Sequence, residues 1–227
     1  MLKSIFSPDN PVFRFIIKIG YCWWLNILWL ATSIPVITIG ASTTALIYSA
    51  MKLHKDEGYP TKNFFHSFKE NFRQATIIWL IYLAAGALLM LGAVYWNQSR
   101  ISGHFIAQAL IWALILLYAM SISYVFAIQS KFVNPISRTI IYSFLLPLRN
   151  LKETLLILVT IAAVVYFNVT TIFMVNFWTL NLGIGLIAFL FAVFYSNVFE
   201  KYIPKQEEPA EDESFNGDYS SLDVLDK

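Results

Sequence analysis

The sequence predicts an all-α fold, a polytopic bundle of transmembrane helices, and three observations lead to that fold class. First, 58% of the 227 residues are hydrophobic and only 13% are charged, whereas soluble domains contain about 25% charged residues. Second, the charges lie in short segments between long uncharged runs. Third, 17% of the residues are aromatic, as expected where Trp and Tyr lie at both membrane interfaces.

The first uncharged run, between Lys18 and Lys52, predicts two helices joined by a break. One helix over the whole run would be about 50 Å long, against a hydrocarbon core of roughly 30 Å. Pro35 removes a backbone donor and Gly40 frees the backbone, so the break is expected at these two residues. The chain should therefore enter the membrane, turn at the break and return as the second arm of a broken hairpin.

The returning helix carries small residues at four-residue spacing, a pattern that lets membrane helices approach closely. These predicted packing residues are Ala41, Ala45 and Ser49. Unwound backbone and the start of a half-helix can coordinate a polar solute, so residues 38–44 are also the candidate binding segment. The candidate hinge or binding residues are Pro35, Thr38, Gly40, Ser42 and Thr43.

Before this hairpin, Asp9, Asn10 and Pro11 are typical of a helix start. The apolar stripe over residues 12–18 predicts either a short helix in the headgroup plane or an extension of the first span. After the hairpin, residues 64–72 place four phenylalanines on one face and predict an interfacial helix. They are Phe64, Phe65, Phe68 and Phe72.

Residues 75–96 and 105–128 each predict one span. Residues 136–148 form a further amphipathic stripe, interrupted by Pro147. The uncharged run between Glu153 and Glu200 would be about 69 Å as one helix, so it predicts two spans with a turn near Trp178. The total is six crossings, or five if residues 41–51 form a re-entrant piece.

Basic residues concentrate in two loops, which the positive-inside rule assigns to the cytoplasm together with both termini. The residues of these predicted cytoplasmic loops include Lys52, Lys55, Lys62, Lys69, Arg73, Arg138 and Arg149. Residues 1–204 are expected to form the transmembrane domain, and residues 205–227 an acidic, disordered cytoplasmic tail. Because the basic residues lie between apolar runs, nucleic-acid binding is not expected.

The sequence contains no motif that predicts an enzyme, a metal site or a cofactor site. The three histidines have no second ligand at metal spacing, and Cys22 is the only cysteine, so no intramolecular disulfide is possible. The predicted spans lack ionisable groups, which ion-coupled transport usually needs. Their neutral polar residues, such as Asn26, Ser121 and Gln129, are explained by hydrogen bonding between helices.

Two stretches resemble the YesL-type family of bacterial multi-pass membrane proteins, a domain of unknown function. One runs from Trp29 through Ser33-Ile34-Pro35-Val36-Ile37-Thr38-Ile39-Gly40, and the other from Phe65 to Thr76. The resemblance covers about the first 100 residues, and the family often has proline where Ala41 stands. Its members are often encoded near carbohydrate uptake transporters.

That resemblance implies a bacterial cytoplasmic membrane protein linked to sugar uptake. We expect a non-enzymatic accessory or regulatory component, with the lipid bilayer and a carbohydrate transporter or other membrane protein as partners. The alternative is a small-solute permease or channel that uses the broken segment 38–44. The sequence leaves the solute and the oligomeric state open.

Overall fold

The computed structural model describes residues 11–98, 104–170 and 183–202, and within these ranges the chain forms α-helices and no β-strand. The helices are α1 (Pro11–Ser33), α2 (Ile39–His54), α3 (Pro60–Gln98), α4 (His104–Lys131), α5 (Ile136–Arg149), α6 (Leu151–Thr170) and α7 (Ile184–Glu200), with a 3-10 turn (Val36–Thr38) between α1 and α2. The predicted all-α class is confirmed. The turn near Trp178 and the acidic tail lie outside the described residues.

Five helices among the described residues are long and apolar enough to cross a membrane, namely α1, α2, α3, α4 and α6. Helix α7 is apolar but shorter. The structure therefore agrees with a membrane-embedded bundle of about five to six spans.

The predicted break in the first apolar run is present. Helix α1 ends at Ser33, because the residue before Pro35 is biased away from the helical conformation. The chain then forms the 3-10 turn, and α2 begins at Ile39. Residues 12–18 do not form a separate headgroup helix: α1 is continuous from Pro11 to Ser33, which is the second of the two predicted alternatives.

The predicted interfacial helix at residues 64–72 is the first part of a longer one, since α3 runs unbroken for 39 residues. No proline or glycine lies between residues 61 and 85 to interrupt it. Its four phenylalanines do not share one environment: Phe64 is fully buried, whereas Phe65 and Phe72 are each 41% exposed.

Helix α2 lies at the centre of the bundle, where it packs against α1, α3, α4 and α7. Gly40 allows the closest approach to α3, since a Cβ there would lie 2.5 Å from the carbonyl oxygen of Ala75. On the other side, Gly185 of α7 abuts the backbone of Cys22 in α1. Two glycines thus set the helix spacing around the hairpin.

The hairpin is shorter than the α3 helix beside it. Its tip meets α3 at Trp79, whose indole Nε1 donates to the carbonyl oxygen of Val36 at 2.9 Å. Helix α3 continues from residue 80 to residue 98, roughly 28 Å further. Over that length α3 pairs with α4, as in the contact of Gly92 with Ile111. The tip therefore stops well short of the far end of α3.

Helix α5 carries the predicted amphipathic stripe, which is confirmed, and much of its apolar face points outward from the bundle. Ile141, Phe144 and Leu148 are each at least 40% exposed, while Thr139 and Ser143 are fully buried. Pro147 lies in the last turn, and the helix ends at Arg149. An outward apolar face is stable where the surrounding solvent is lipid.

Candidate functional site

The hinge closes on itself through the hydroxyl of Thr38. This hydroxyl lies 2.6 Å from the carbonyl oxygen of Thr32 and 2.7 Å from that of Pro35. The carbonyl of Thr32 lies in the last turn of α1, where carbonyls lack an intrahelical donor, whereas that of Pro35 also accepts from the backbone N–H of Thr38 at 2.9 Å. Thr38 therefore holds the end of α1 to the turn, and it is buried.

The other hydroxyl groups of segment 38–44 are also bonded within the hairpin. Ser42 donates to the carbonyl oxygen of Thr38 at 3.0 Å, and Thr44 donates to that of Gly40 at 2.8 Å. Thr43 accepts from the indole Nε1 of Trp29 in α1 at 3.2 Å. The structure thus brings Pro35, Thr38, Gly40, Ser42 and Thr43 together as a closed turn.

The three predicted packing residues, Ala41, Ala45 and Ser49, are completely buried. Their helix has protein on several sides, so the small side chains lie inside the bundle. The hydroxyl of Ser49 has no hydrogen-bond partner among the described residues. Serine is therefore explained at this position by its small size and not by its polarity.

A buried cluster of three hydroxyls joins α3, α4 and α5. Tyr82, Ser121 and Ser143 are in mutual hydrogen-bond contact, with 2.8 Å between Tyr82 and Ser143 and 2.7 Å between Ser121 and Ser143. Ser143 also reaches the carbonyl oxygen of Ile140 at 2.6 Å. Every hydroxyl in this cluster is satisfied by a neighbour, as buried polar groups require.

The sequence predicts Ser121 as a polar residue that bonds between helices, but it does not single out Tyr82 or Ser143. The signal for Tyr82 is its position, because a tyrosine seven residues into a predicted span is far from the aromatic belts where tyrosines are common. Ser143 has a weaker signal, since it follows two isoleucines and a tyrosine in the amphipathic stripe.

A second polar contact lies nearer the end of α4. Gln129 donates from Nε2 to Oδ1 of Asn71 at 2.9 Å, and Thr139 contacts Oε1 of the same glutamine at 3.4 Å. Asn71 in turn donates to the carbonyl oxygen of Ser67 at 3.0 Å. The amide of Gln129 thereby links α3 to α5 through α4, consistent with its predicted role between helices.

Several ion pairs lie together at one end of the bundle, which is called the charged end. Asp56 contacts Arg14 at 3.0 Å and Lys18 at 2.9 Å, which ties the start of α1 to the loop after α2. The other three pairs that tie this end together are Lys52–Glu57, Lys55–Glu200 at 2.8 Å and Lys201–Glu153 at 2.9 Å. The ends of α2, α6 and α7 therefore meet here.

The loop between α2 and α3 has a defined backbone. Asp56 and Gly58 both have positive φ angles, 58° and 68°, a conformation that glycine adopts freely and that aspartate tolerates better than most residues. The hydrogen bond from Lys18 lowers the pKa of Asp56, and that from Lys52 lowers the pKa of Glu57. Both carboxylates are thus held in the charged form.

The two basic loops contact each other at this end. Arg73 of α3 borders a surface hollow with Pro135 and Ile136, which begin the α5 segment. Lys131 borders a small crevice with Lys52 and Lys55. The remaining predicted loop residues, Lys62, Lys69, Arg138 and Arg149, are all exposed. The described residues hold no group of three or more His, Cys, Asp or Glu side chains arranged as metal ligands.

The fold and the site define the class of protein: a polytopic helical membrane protein organised around a broken hairpin. Residues 22–93 match the model of a family described as "Protein of unknown function, DUF624". The matched stretch runs from Cys22 of α1 through the hinge and α2 and along most of α3. The chain has no significant match among curated proteins or among solved structures.

Proposed function

We propose that this protein is a non-enzymatic accessory or regulatory component of carbohydrate uptake in the bacterial cytoplasmic membrane. The observation that supports it best is the closed hinge. The hydroxyls of Thr38, Ser42 and Thr43 are bonded within the hairpin, and Gly40 lies against α3 with no room for a Cβ. The segment best suited to a solute is therefore used for packing.

The link to carbohydrates rests on resemblance. The hinge and residues 65–76 resemble the YesL-type family, whose members are often encoded near carbohydrate uptake transporters. Residues 22–93, which match the family of unknown function, include both stretches. We propose that the partner is such a transporter, or a membrane protein that acts with it.

In this proposal the charged end faces the cytoplasm with both termini. The basic residues of the two contacting loops support that orientation, since short cytoplasmic loops are enriched in Lys and Arg. A partner within the bilayer would contact exposed apolar helix faces. Leu88 of α3 is 70% exposed and Leu110 of α4 is 62% exposed, so these positions report on such a contact.

The proposal is tested by site-specific photo-crosslinking in sugar-induced cells. A photoreactive amino acid is placed at Leu88, at Leu110 or at the exposed loop residue Tyr59. Purification in mild detergent is followed by identification of the crosslinked protein. We expect a subunit of a carbohydrate transporter to be captured from an apolar helix face and not from Tyr59.

Two results would contradict an accessory role. One is the recovery of this chain alone from both apolar positions under inducing conditions. The other is sugar transport by the purified chain in proteoliposomes that is lost when Thr38 is replaced by a bulky residue, which would instead support a permease that uses segment 38–44. An accessory component should be inactive alone and should change uptake only when its transporter is present.

A further inference from the structure

A cavity of about 270 Å³ lies between the end of α4, helix α5 and the residue pair that follows α7. Its floor is apolar and consists of Ile128, Phe132, Leu145 and Leu146. Its rim is polar and includes Arg149 and Tyr202. The cavity therefore combines an apolar floor with a cationic edge.

The surroundings of the cavity are those expected where a membrane protein meets the headgroup region. Helix α5 presents its apolar face outward, where Ile141, Phe144 and Leu148 are exposed. Next to the cavity, Lys201 and Glu153 form an ion pair of the charged end. An amphipathic helix with this arrangement lies where headgroups meet acyl chains.

Arg149 is available to bind an anion. Among the described residues no carboxylate forms an ion pair with it, and Glu153, four residues further along the chain in α6, is paired with Lys201. The hydroxyl oxygen of Tyr202 accepts a hydrogen bond from Nδ2 of Asn150 at 3.1 Å, so its own proton remains to be donated. A planar guanidinium can bind two phosphate oxygens at once.

We propose that this cavity binds a phospholipid with a net negative headgroup, with the phosphate on Arg149 and Tyr202 and the start of an acyl chain on the apolar floor. A soluble anion would leave the floor uncovered. A zwitterionic lipid would bring its own cation next to Arg149, the one basic side chain that lines the cavity among the described residues. Basic pockets between membrane helices are known to hold anionic headgroups in this way.

The test uses the full chain, delipidated in a neutral detergent and titrated with phosphatidylglycerol, phosphatidylcholine or inorganic phosphate. Native mass spectrometry counts the bound lipid, and thermal unfolding reports the stabilisation. We expect phosphatidylglycerol to bind more tightly than phosphatidylcholine and to raise the unfolding midpoint, whereas inorganic phosphate should not raise it.

Three variants distinguish lipid binding in this cavity from a general attraction of anionic lipid to the positive charges of the protein. Arg149→Gln should weaken phosphatidylglycerol binding about tenfold or more, the loss expected for charge-assisted hydrogen bonds. Arg138→Gln is the matched control, because Arg138 is an exposed arginine of the same helix that does not line the cavity. Leu145→Trp fills the apolar floor without changing the charge and should also weaken binding.

Three outcomes would overturn the proposal. The first is equal binding of the two lipids, and the second is equal loss of binding in Arg149→Gln and Arg138→Gln. The third is stabilisation by inorganic phosphate that matches the lipid effect, which would indicate a soluble anion. Because Arg149 is exposed, Arg149→Gln should fold, and its midpoint without lipid verifies this.

Discussion

At the scale of single residues, the hinge depends on a glycine for space rather than for backbone freedom. A Cβ on Gly40 would lie 2.5 Å from the carbonyl oxygen of Ala75 and 2.6 Å from Cβ of Trp79. Both atoms belong to or are fixed by the backbone of α3, so neither can rotate away. The separation of α2 and α3 is therefore set by the absence of one methyl group.

We predict that Gly40→Ala lowers the free energy of unfolding by about 1–3 kcal/mol, as overpacking does in other cores. The matched control is Gly20→Ala in α1, where a Cβ has nothing within 4 Å and alanine favours the helix. Thermal unfolding of both variants in the same detergent checks this. Equal midpoints for the two variants would contradict the close approach.

The carboxylate of Asp56 gives a prediction for pH. Its pKa is lowered from the ordinary value of 3.8, first by the hydrogen bond from Lys18. A lowered pKa in the folded state means that the ion pairs stabilise fully above pH 3.8 and stop doing so as the pH falls through the folded value. Because Asp56 and Arg14 are exposed and Lys18 is only partly buried, solvent screens these pairs and the contribution is at most about 1 kcal/mol.

Asp56→Asn should therefore be less stable than the wild type at pH 7, and the difference between the two proteins should shrink as the pH falls below 3.8. Asparagine also tolerates the positive φ of this position, so the comparison isolates the charge. Unfolding midpoints of both proteins measured between pH 7 and pH 3 give the result. A gap that stays constant over this range would show that the charge of Asp56 plays no part.

At the scale of elements, α5 shows what hydropathy alone cannot predict. The sequence predicts the stripe of apolar residues on α5. It does not predict which way the stripe faces, because such a stripe can pack against protein or against lipid. The deciding residues are Thr139 and Ser143 on the opposite face, whose hydroxyls bond to Gln129 and to Tyr82. Those partners are distant in sequence, and no local pattern connects them.

The hydroxyl cluster should hold α5 against α3 and α4. Ser143→Ala is expected to lower the free energy of unfolding by about 0.6–1.7 kcal/mol, from the average to the maximum measured for such bonds between membrane helices. Ser137→Ala, at an exposed position of the same helix, should have little effect. Chemical or thermal unfolding in detergent would distinguish them.

A double-mutant cycle of Ser143→Ala with Tyr82→Phe then tests the cluster itself. Because the two hydroxyls are 2.8 Å apart, their effects on unfolding should not add. Additive effects would mean that Ser143 and Tyr82 stabilise α5 independently.

The broken hairpin was the element best predicted from sequence. Pro35 acts locally, so the position of the break could be inferred without any neighbour. Gly40 lies within α2 and acts through its contact with α3, which the sequence does not show. The continuity of α3 could not be read in the same way. The change from an amphipathic to an apolar pattern near Ala75 marks a change of surroundings, and without a proline or glycine there the helix simply continues.

At the scale of the whole molecule, the depth of the hairpin decides the topology. Ion pairs of Asp56 with Arg14 and Lys18 fix its open end to the charged end. Its tip meets α3 at Trp79, roughly 28 Å before α3 ends. Helices α1 and α2 are long and apolar enough to cross the bilayer and are two of the five candidate spans. Because the tip stops so far from the end of α3, we expect these two helices to enter and leave the bilayer on one side, as a re-entrant pair.

This arrangement does not change which side of the membrane each loop faces, because α1 begins and α2 ends on the same side. It also explains the exposed apolar tip, where Ile34 is 80% exposed and Ile37 is 55% exposed. Such residues would be unfavourable in water beyond a fully crossed membrane, and they are favourable in hydrocarbon.

The most direct measurement is cysteine accessibility from each side of the membrane. In a Cys22→Ala background, single cysteines replace Tyr59, Ile37 or Asn97, and vesicles of both orientations are treated with a membrane-impermeant maleimide. We predict labelling at 59 and 97 from opposite sides and protection at 37 from both sides. Labelling at 37 from the side that labels 97 would rule out a tip buried in the bilayer, because the hairpin would then cross the membrane completely.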